Sequence, residues 1–137
     1  MLLTILLSFI SLICIAPVPG SIMIVKDDPL LDPVLNAIIK VESGGNPLAF
    51  NQKEEAYGLL QIRPIMIREV NRILRLQKKN TRYSIADAMD SVKSIQIYYI
   101  IQSWHSPDND PYRATVIWNG KSRNDKYWKK VEKILNQ

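Results

Sequence analysis

The residues best suited to chemistry lie together between Ala37 and Ile62, AIIKVESGGNPLAFNQKEEAYGLLQI. An apolar stretch delivers one carboxylate, Glu42, and then breaks at Ser43-Gly44-Gly45-Asn46-Pro47. Leu35, Ile38, Ile39 and Glu42 fall at i, i+3, i+4 and i+7, one face of a helix. Glu42 is therefore expected at the C-terminal end of a core-facing stripe, partly desolvated and near the negative end of the helix dipole. Both effects favour the protonated carboxyl, the form a general acid needs at neutral pH. A glutamate resting at the rim of a core with no task fits the same position. After a polar passage, Tyr57-Gly58-Leu59-Leu60-Gln61-Ile62 turns back into apolar sequence, with Gln61 offering two donors and two acceptor sites.

Positioning these groups requires a helix that starts and stops in the right places. Asp32 is the expected N-cap, with Pro33 at the first helical position, where a missing N–H costs nothing. Either Gly44 or Gly45 supplies the left-handed residue that ends the helix, and Pro47 prevents its resumption. Gly45 to Tyr57 has loop composition with room for a small hairpin. Pro64 opens the next helix, with Ile67, Val70, Ile73 and Leu74 as its buried stripe and Arg68, Asn71, Arg72 and Arg75 facing outward. Lys78 to Tyr83 reads as a basic loop, and Ser84-Ile85-Ala86-Asp87 as a capping box. Met89, Val92, Ile95 and Tyr99 continue at helical spacing towards Trp104. His105 to Pro111 is a turn-rich surface connection, and Tyr112 to Trp118 a short helix or turn stopped by Asn119-Gly120. Asn124 or Asp125 caps a last helix carrying Trp128, Val131 and Leu135. No segment alternates as a strand, so a mainly α bundle around one central helix is expected, with at most a small β-hairpin.

Composition sets outer limits. The chain has 137 residues and a formal charge of +5, which suits an acidic partner: nucleic acid, anionic lipid or an acidic wall polymer. Leu2 to Ile15 is apolar and uncharged, followed by small residues up to Ser21, so residues 1–20 read as a signal peptide or an uncleaved anchor. The one cysteine, Cys14, lies within that stretch, which excludes disulfides and a cysteine nucleophile from residues 21–137. A lone histidine with scattered aspartates offers no metal site.

Glu42-Ser43-Gly44-Gly45-Asn46-Pro47, Ala49 and Gly58-Leu59-Leu60-Gln61-Ile62 together resemble the signature of the soluble lytic transglycosylases, in the goose-type-lysozyme branch of the lysozyme-like superfamily. That family joins a Glu-Ser pair at a helix end, a Gly-Leu-Met-Gln run and a later Ala-Tyr-Asn-Ala-Gly motif. Ile117-Trp118-Asn119-Gly120 is the counterpart of the last, with Trp118 in place of Tyr and no Ala between Asn119 and Gly120. The resemblance runs from Asp32 to Leu135 and implies an exported protein with a lysozyme-like catalytic domain over residues 21–137, acting on peptidoglycan in the periplasm or cell envelope. It implies cleavage of the β-1,4 bond between N-acetylmuramic acid and N-acetylglucosamine without any cofactor, leaving 1,6-anhydro ends. Glu42 would be the single acid and base. Ser43, Tyr57, Gly58, Gln61, Trp118, Asn119 and Tyr127 would surround the substrate, Tyr127 as the tyrosine that bonds the acid, with Tyr112 as the alternative. Ser43 equally suits helix capping, Gln61 the loop backbone, and Tyr57 and Trp118 the core. Gly58 would permit close approach of a sugar or a helix.

Peptidoglycan strands are the implied partner of a monomer, with secretion, conjugation or phage assembly components beside them and no nucleic acid. Glu54 and Glu55, expected as solvated loop charges, stand where goose-type lysozymes carry an assisting carboxylate, so a muramidase outcome is the alternative. An inactive wall-binding protein is the other; a basic nucleic-acid binder would explain the charge but not the motifs.

Overall fold

A computed structural model of the chain describes residues 32–108, 110–120 and 125–137. The expected signal segment, Cys14 and Asn124 lie outside the described residues. Helix α1 (Pro33–Ser43) begins where predicted: Asp32 Oδ1 accepts the N–H groups of Val34 at 2.9 Å and Leu35 at 3.1 Å, with Pro33 in the first turn. Asp32 Oδ2 also accepts from Tyr99 Oη at 3.2 Å, which ties the helix start to the molecular centre. Gly44, at φ +64°, is the left-handed residue that ends α1. Leu35, Ala37 and Ile38 are buried and Glu42 half-buried, as the stripe required.

The polar passage contains an antiparallel hairpin, β1 (Phe50–Asn51) and β2 (Ala56–Tyr57), in which Phe50 pairs with Tyr57 and Asn51 with Ala56. Helix α2 (Pro64–Leu76) follows and buries Met66, Ile67, Val70, Ile73 and Leu74. Asn71, expected to face outward, is half-buried: its amide accepts Tyr83 N–H at 2.8 Å and donates to Tyr83 C=O at 2.7 Å, clamping the returning loop. The Ser84–Asp87 capping box starts a 3-10 helix (Ile85–Met89), not the long helix. Asp90 caps that one, α3 (Ser91–His105), by accepting Lys93 N–H at 3.0 Å.

Helix α3 corrects two expectations. Val92 is 66% exposed and Met89 belongs to the 3-10 helix, so Met89, Val92, Ile95 and Tyr99 are not its buried stripe. The buried residues are Ser94, Ile97, Tyr98, Ile101 and Gln102. The reason is that α3 is the central helix, packed on α2, on the 3-10 helix and on α4 (Pro111–Asn119), so no single apolar stripe describes it. Its buried polar groups are tolerated because they are bonded: Ser94 Oγ donates to Ala88 C=O at 2.8 Å and Gln102 Nε2 to Ala114 C=O at 2.9 Å. His105 is the last residue of α3 and not a surface loop. Its Nε2 lies 2.7 Å from Glu69 Oε1, and Arg72 holds both oxygens of that carboxylate at 2.7 Å. The Arg72 bonds first, then His105, pull the Glu69 carboxyl down to about 2.

Asp110 caps α4 through Arg113 N–H at 2.7 Å, and Gly120 at φ +70° ends it. Helix α5 (Asp125–Leu135) packs on α1 and α4, with Val131 buried and Trp128 and Leu135 half-buried. Among the described residues no helix is long and apolar enough to cross a membrane.

Gly58 joins the hairpin side of the fold to the 3-10 helix. Its φ is +73°, and a Cβ there would lie 1.9 Å from Ala88 C=O. Gly58→Ala must relieve both the clash and the left-handed backbone, so a loss on the order of 3 kcal/mol or more is expected in urea unfolding. A loss no larger than the roughly 1–2 kcal/mol of the left-handed backbone alone would show that this contact does not hold the two parts together.

Candidate active site

Four elements converge on a cleft of about 310 Å³. Glu42 comes from the end of α1, Asn51, Glu54 and Ala56 from the hairpin, Gln61, Arg63 and Met66 from the segment entering α2, and Trp118 and Asn119 from the end of α4. Tyr127 reaches Glu42 from the first turn of α5: its hydroxyl donates to Glu42 Oε1 at 2.5 Å. Tyr112, the other tyrosine considered, stands edge-on to Trp128 at 5.5 Å and is exposed.

Opposing influences set the protonation of Glu42. Burial pushes its carboxyl up from the ordinary 4.5, and the charge of Glu54 adds to this. The Tyr127 hydrogen bond, then Arg63 and Lys130, pull it back down, and the balance leaves it raised. Burial and the Glu42 charge beside it push the Tyr127 phenol upward, so this residue stays a hydrogen-bond donor. With Oε1 occupied by the tyrosine hydrogen, the proton of a neutral Glu42 belongs on Oε2. When protonated, Glu42 would present that O–H while Tyr127 holds the other oxygen.

The remaining candidates divide between cleft and scaffold. Gln61, at φ +49°, lines the cleft, but its Nε2 is committed to Gly58 C=O at 3.0 Å and Ala49 C=O at 3.3 Å. Asn119 lines the cleft with its Nδ2 buried and unpartnered, while its C=O accepts from Arg63 Nη2 at 3.3 Å. Trp118 is 2% exposed; it borders the cleft, packs on Tyr98 at 5.1 Å and donates Nε1–H to Leu60 C=O at 3.2 Å. Ser43 Oγ donates to Leu59 C=O at 2.6 Å and accepts Gly45 N–H at 3.2 Å, tying the end of α1 to the second motif. Tyr57 stacks on Phe50 at 4.8 Å, on the opposite strand face from Asn51 and Ala56, and is not among the cleft-lining residues. Of the two approaches allowed for Gly58, the one observed is that of the 3-10 helix.

Sequence reasoning missed Asn51, Ala56, Arg63 and Met66 as cleft residues and treated Glu54 as a solvated charge. Glu54 is exposed, yet it also lines the cleft. The available signal was adjacency: Arg63 sits between Gln61-Ile62 and the helix-opening Pro64, so it shares the direction of the second motif.

The family model described as the transglycosylase SLT domain matches residues 23–136. No curated protein and no solved structure gives a significant match. With a match over most of its length, carried on a mainly helical lysozyme-like fold, the chain belongs to the transglycosylase SLT domain family, made up of glycan-cleaving lytic transglycosylases of peptidoglycan.

Proposed function

We propose that this protein is a peptidoglycan lytic transglycosylase of the cell envelope, with Glu42 as its single catalytic acid and base. The observation carrying this reading is the state of Glu42: half-buried in a polar cleft, raised in pKa, and held on one oxygen by Tyr127. In the first step Glu42 Oε2–H protonates the glycosidic oxygen, and the bond from that oxygen to C1 of the muramic residue breaks. The 2-acetamido oxygen assists at C1 as the charge develops. Glu42, now ionised, removes the proton of the muramic 6-hydroxyl, and O6 attacks C1 to close the 1,6-anhydro ring. The proton taken returns Glu42 to its starting form, so no second carboxylate and no water are consumed. Gln61 and Asn119 line the cleft wall; Gln61 Nε2 is already committed to Gly58 and Ala49, so its Oε1 is the group left for a sugar hydroxyl.

A hydrolase outcome has one observation in its favour: Glu54 lines the same cleft as Glu42. A carboxylate that holds a water against C1 would give inversion and reducing ends. Glu54 is exposed, a poor setting for directing one water, so the lyase is preferred.

Digestion of purified peptidoglycan is expected to yield anhydro-muramic ends by mass spectrometry; reducing ends would select the hydrolase. Glu42→Gln should lower the rate by about 10²–10⁴-fold, the usual scale of a general acid. The same variant carries a stability signature. Folded Glu42 holds its proton above the unfolded value of 4.5, so its contribution is full below pH 4.5 and is lost as pH rises through the native value. Glutamine does not titrate, so the melting temperature of Glu42→Gln relative to wild type should climb from pH 4 to pH 8. A flat difference would mean that the folded Glu42 carboxyl is not raised above its unfolded value. Tyr127→Phe removes a bond that favours the ionised form, so the alkaline limb of the kcat/KM profile should move to higher pH. A limb moving to lower pH would contradict the arrangement.

A further inference from the structure

Arg63 touches none of the reacting atoms in the proposed reaction; its one part there is through its charge, which lowers the Glu42 carboxyl. Its backbone is extended, at φ −100° and ψ 157°, as the following Pro64 requires, and its N–H donates to Met66 Sδ at 3.4 Å. The half-buried side chain is anchored by Nη2 on Asn119 C=O at 3.3 Å. Among the described residues no carboxylate lies within ion-pair distance of this guanidinium, and its other N–H groups have no protein partner. Glu42 and Glu54 line the same cleft, yet neither closes on it. Glu42 instead gives Oε1 to Tyr127.

A half-desolvated cation without an anion is unfavourable unless something else supplies the anion. Transition-state stabilisation does not account for it. Glycosidic cleavage develops positive charge at the sugar C1, and a fixed guanidinium beside the cleft opposes that charge. A guanidinium with several free donors in a planar fork is instead matched to a carboxylate, which it can hold through two parallel hydrogen bonds.

We infer that Arg63 is a specificity-determining residue that binds a carboxylate carried by the muramic residue of the glycan strand. The inference rests on the peptidoglycan reading above. Two sources carry the same chemistry: the lactyl carboxylate of a peptide-free muramic residue, and the carboxylates of an attached stem peptide.

The test measures kcat/KM on two matched pairs of glycan strands. One pair is peptide-free, with the lactyl carboxylate either free or converted to its methylamide. The other bears stem peptides whose carboxylates are either free or amidated. Wild-type protein should prefer the charged member of one pair by on the order of tenfold to a hundredfold, chiefly through KM, as expected for charge-assisted hydrogen bonds. The pair showing the preference identifies the source. Arg63→Gln should bring that ratio close to one, and Arg63→Lys should restore part of it. Any influence of Arg63 on Glu42 acts on both members of a pair and cancels in the ratio. Cleavage of the neutral strands by the variants also reports that they are folded. Wild-type rates that ignore the charge in both pairs, or a preference that survives in Arg63→Gln, overturn the inference and leave the proposed activity standing. Failure of wild type to cleave any strand overturns both.

Discussion

Glu42 and Tyr127 lie 85 residues apart and meet in one hydrogen bond between the end of α1 and the first turn of α5. Around that bond two tendencies are held in opposition. Burial raises the carboxyl, which favours giving a proton and disfavours the ionised form that must take one back. A hydrogen bond to the ionised form, with the positive charges of Arg63 and Lys130 nearby, restores access to the carboxylate. An acid that must also act as a base needs both states within reach of the working pH. The packing of α1 on α5 is therefore part of the proposed chemistry and not only of the core.

The second motif connects the other two. Carbonyls of consecutive residues in Gly58–Ile62 receive side chains from both ends of the chain: Leu59 C=O takes Ser43 Oγ at 2.6 Å, and Leu60 C=O takes Trp118 Nε1 at 3.2 Å. Tyr57 and Ile62 exchange backbone hydrogen bonds at 3.0 and 2.9 Å, closing the turn. Leu60 and Ile62 are fully buried, so their carbonyls and amides need such partners. The pieces recognisable in the primary sequence are thus bonded to one another through the backbone of the middle one. That explains how residues of low individual specificity make a defined cleft without disulfides among the described residues.

Legibility in the sequence followed the range of the interactions. Local devices were readable: the Asp32 cap with Pro33, the Gly44 stop, the α2 stripe and the Ser84–Asp87 box all depend on neighbours within four residues. The α3 stripe was misread because several elements surround that helix, and because its buried Ser94 and Gln102 are paid for by carbonyls from other parts of the chain. His105 was placed in a loop because its helix ends one residue before Ser106-Pro107, and its partner Glu69 sits 36 residues earlier on α2. Tyr127 was reached only through family resemblance, since nothing local links it to Glu42. Arg63 gave no chemical signal of its own. A lone arginine before a proline is common, and its meaning comes from Asn119, 56 residues away.

Unfavourable features are distributed unevenly. In the core, Ser94, Gln102, Ser106 and Thr115 are buried, and each uses a donor on a protein acceptor; Gln102 Oε1 is left without a partner. Around the cleft several costs coincide. Glu42 is desolvated, Arg63 is unpaired among the described residues, and Asn119 Nδ2 is a buried donor without an acceptor, a state worth roughly 1–3 kcal/mol. Gln61, which lines the cleft, adopts φ of +49°, unfavourable by roughly 1–2 kcal/mol for a residue other than glycine, whereas Glu55 at φ +48° is accounted for by the turn between β1 and β2. Lys78, at φ +57°, is the exception away from the cleft, and there the end of α2 explains it, because a left-handed residue closes the helix. Two of these costs face the cleft and are ones a bound ligand can relieve: an anion for Arg63 and a leaving oxygen for a proton on Glu42. Their clustering within one cleft supports the proposed activity, because a protein that merely kept the fold would gain stability by losing each of them.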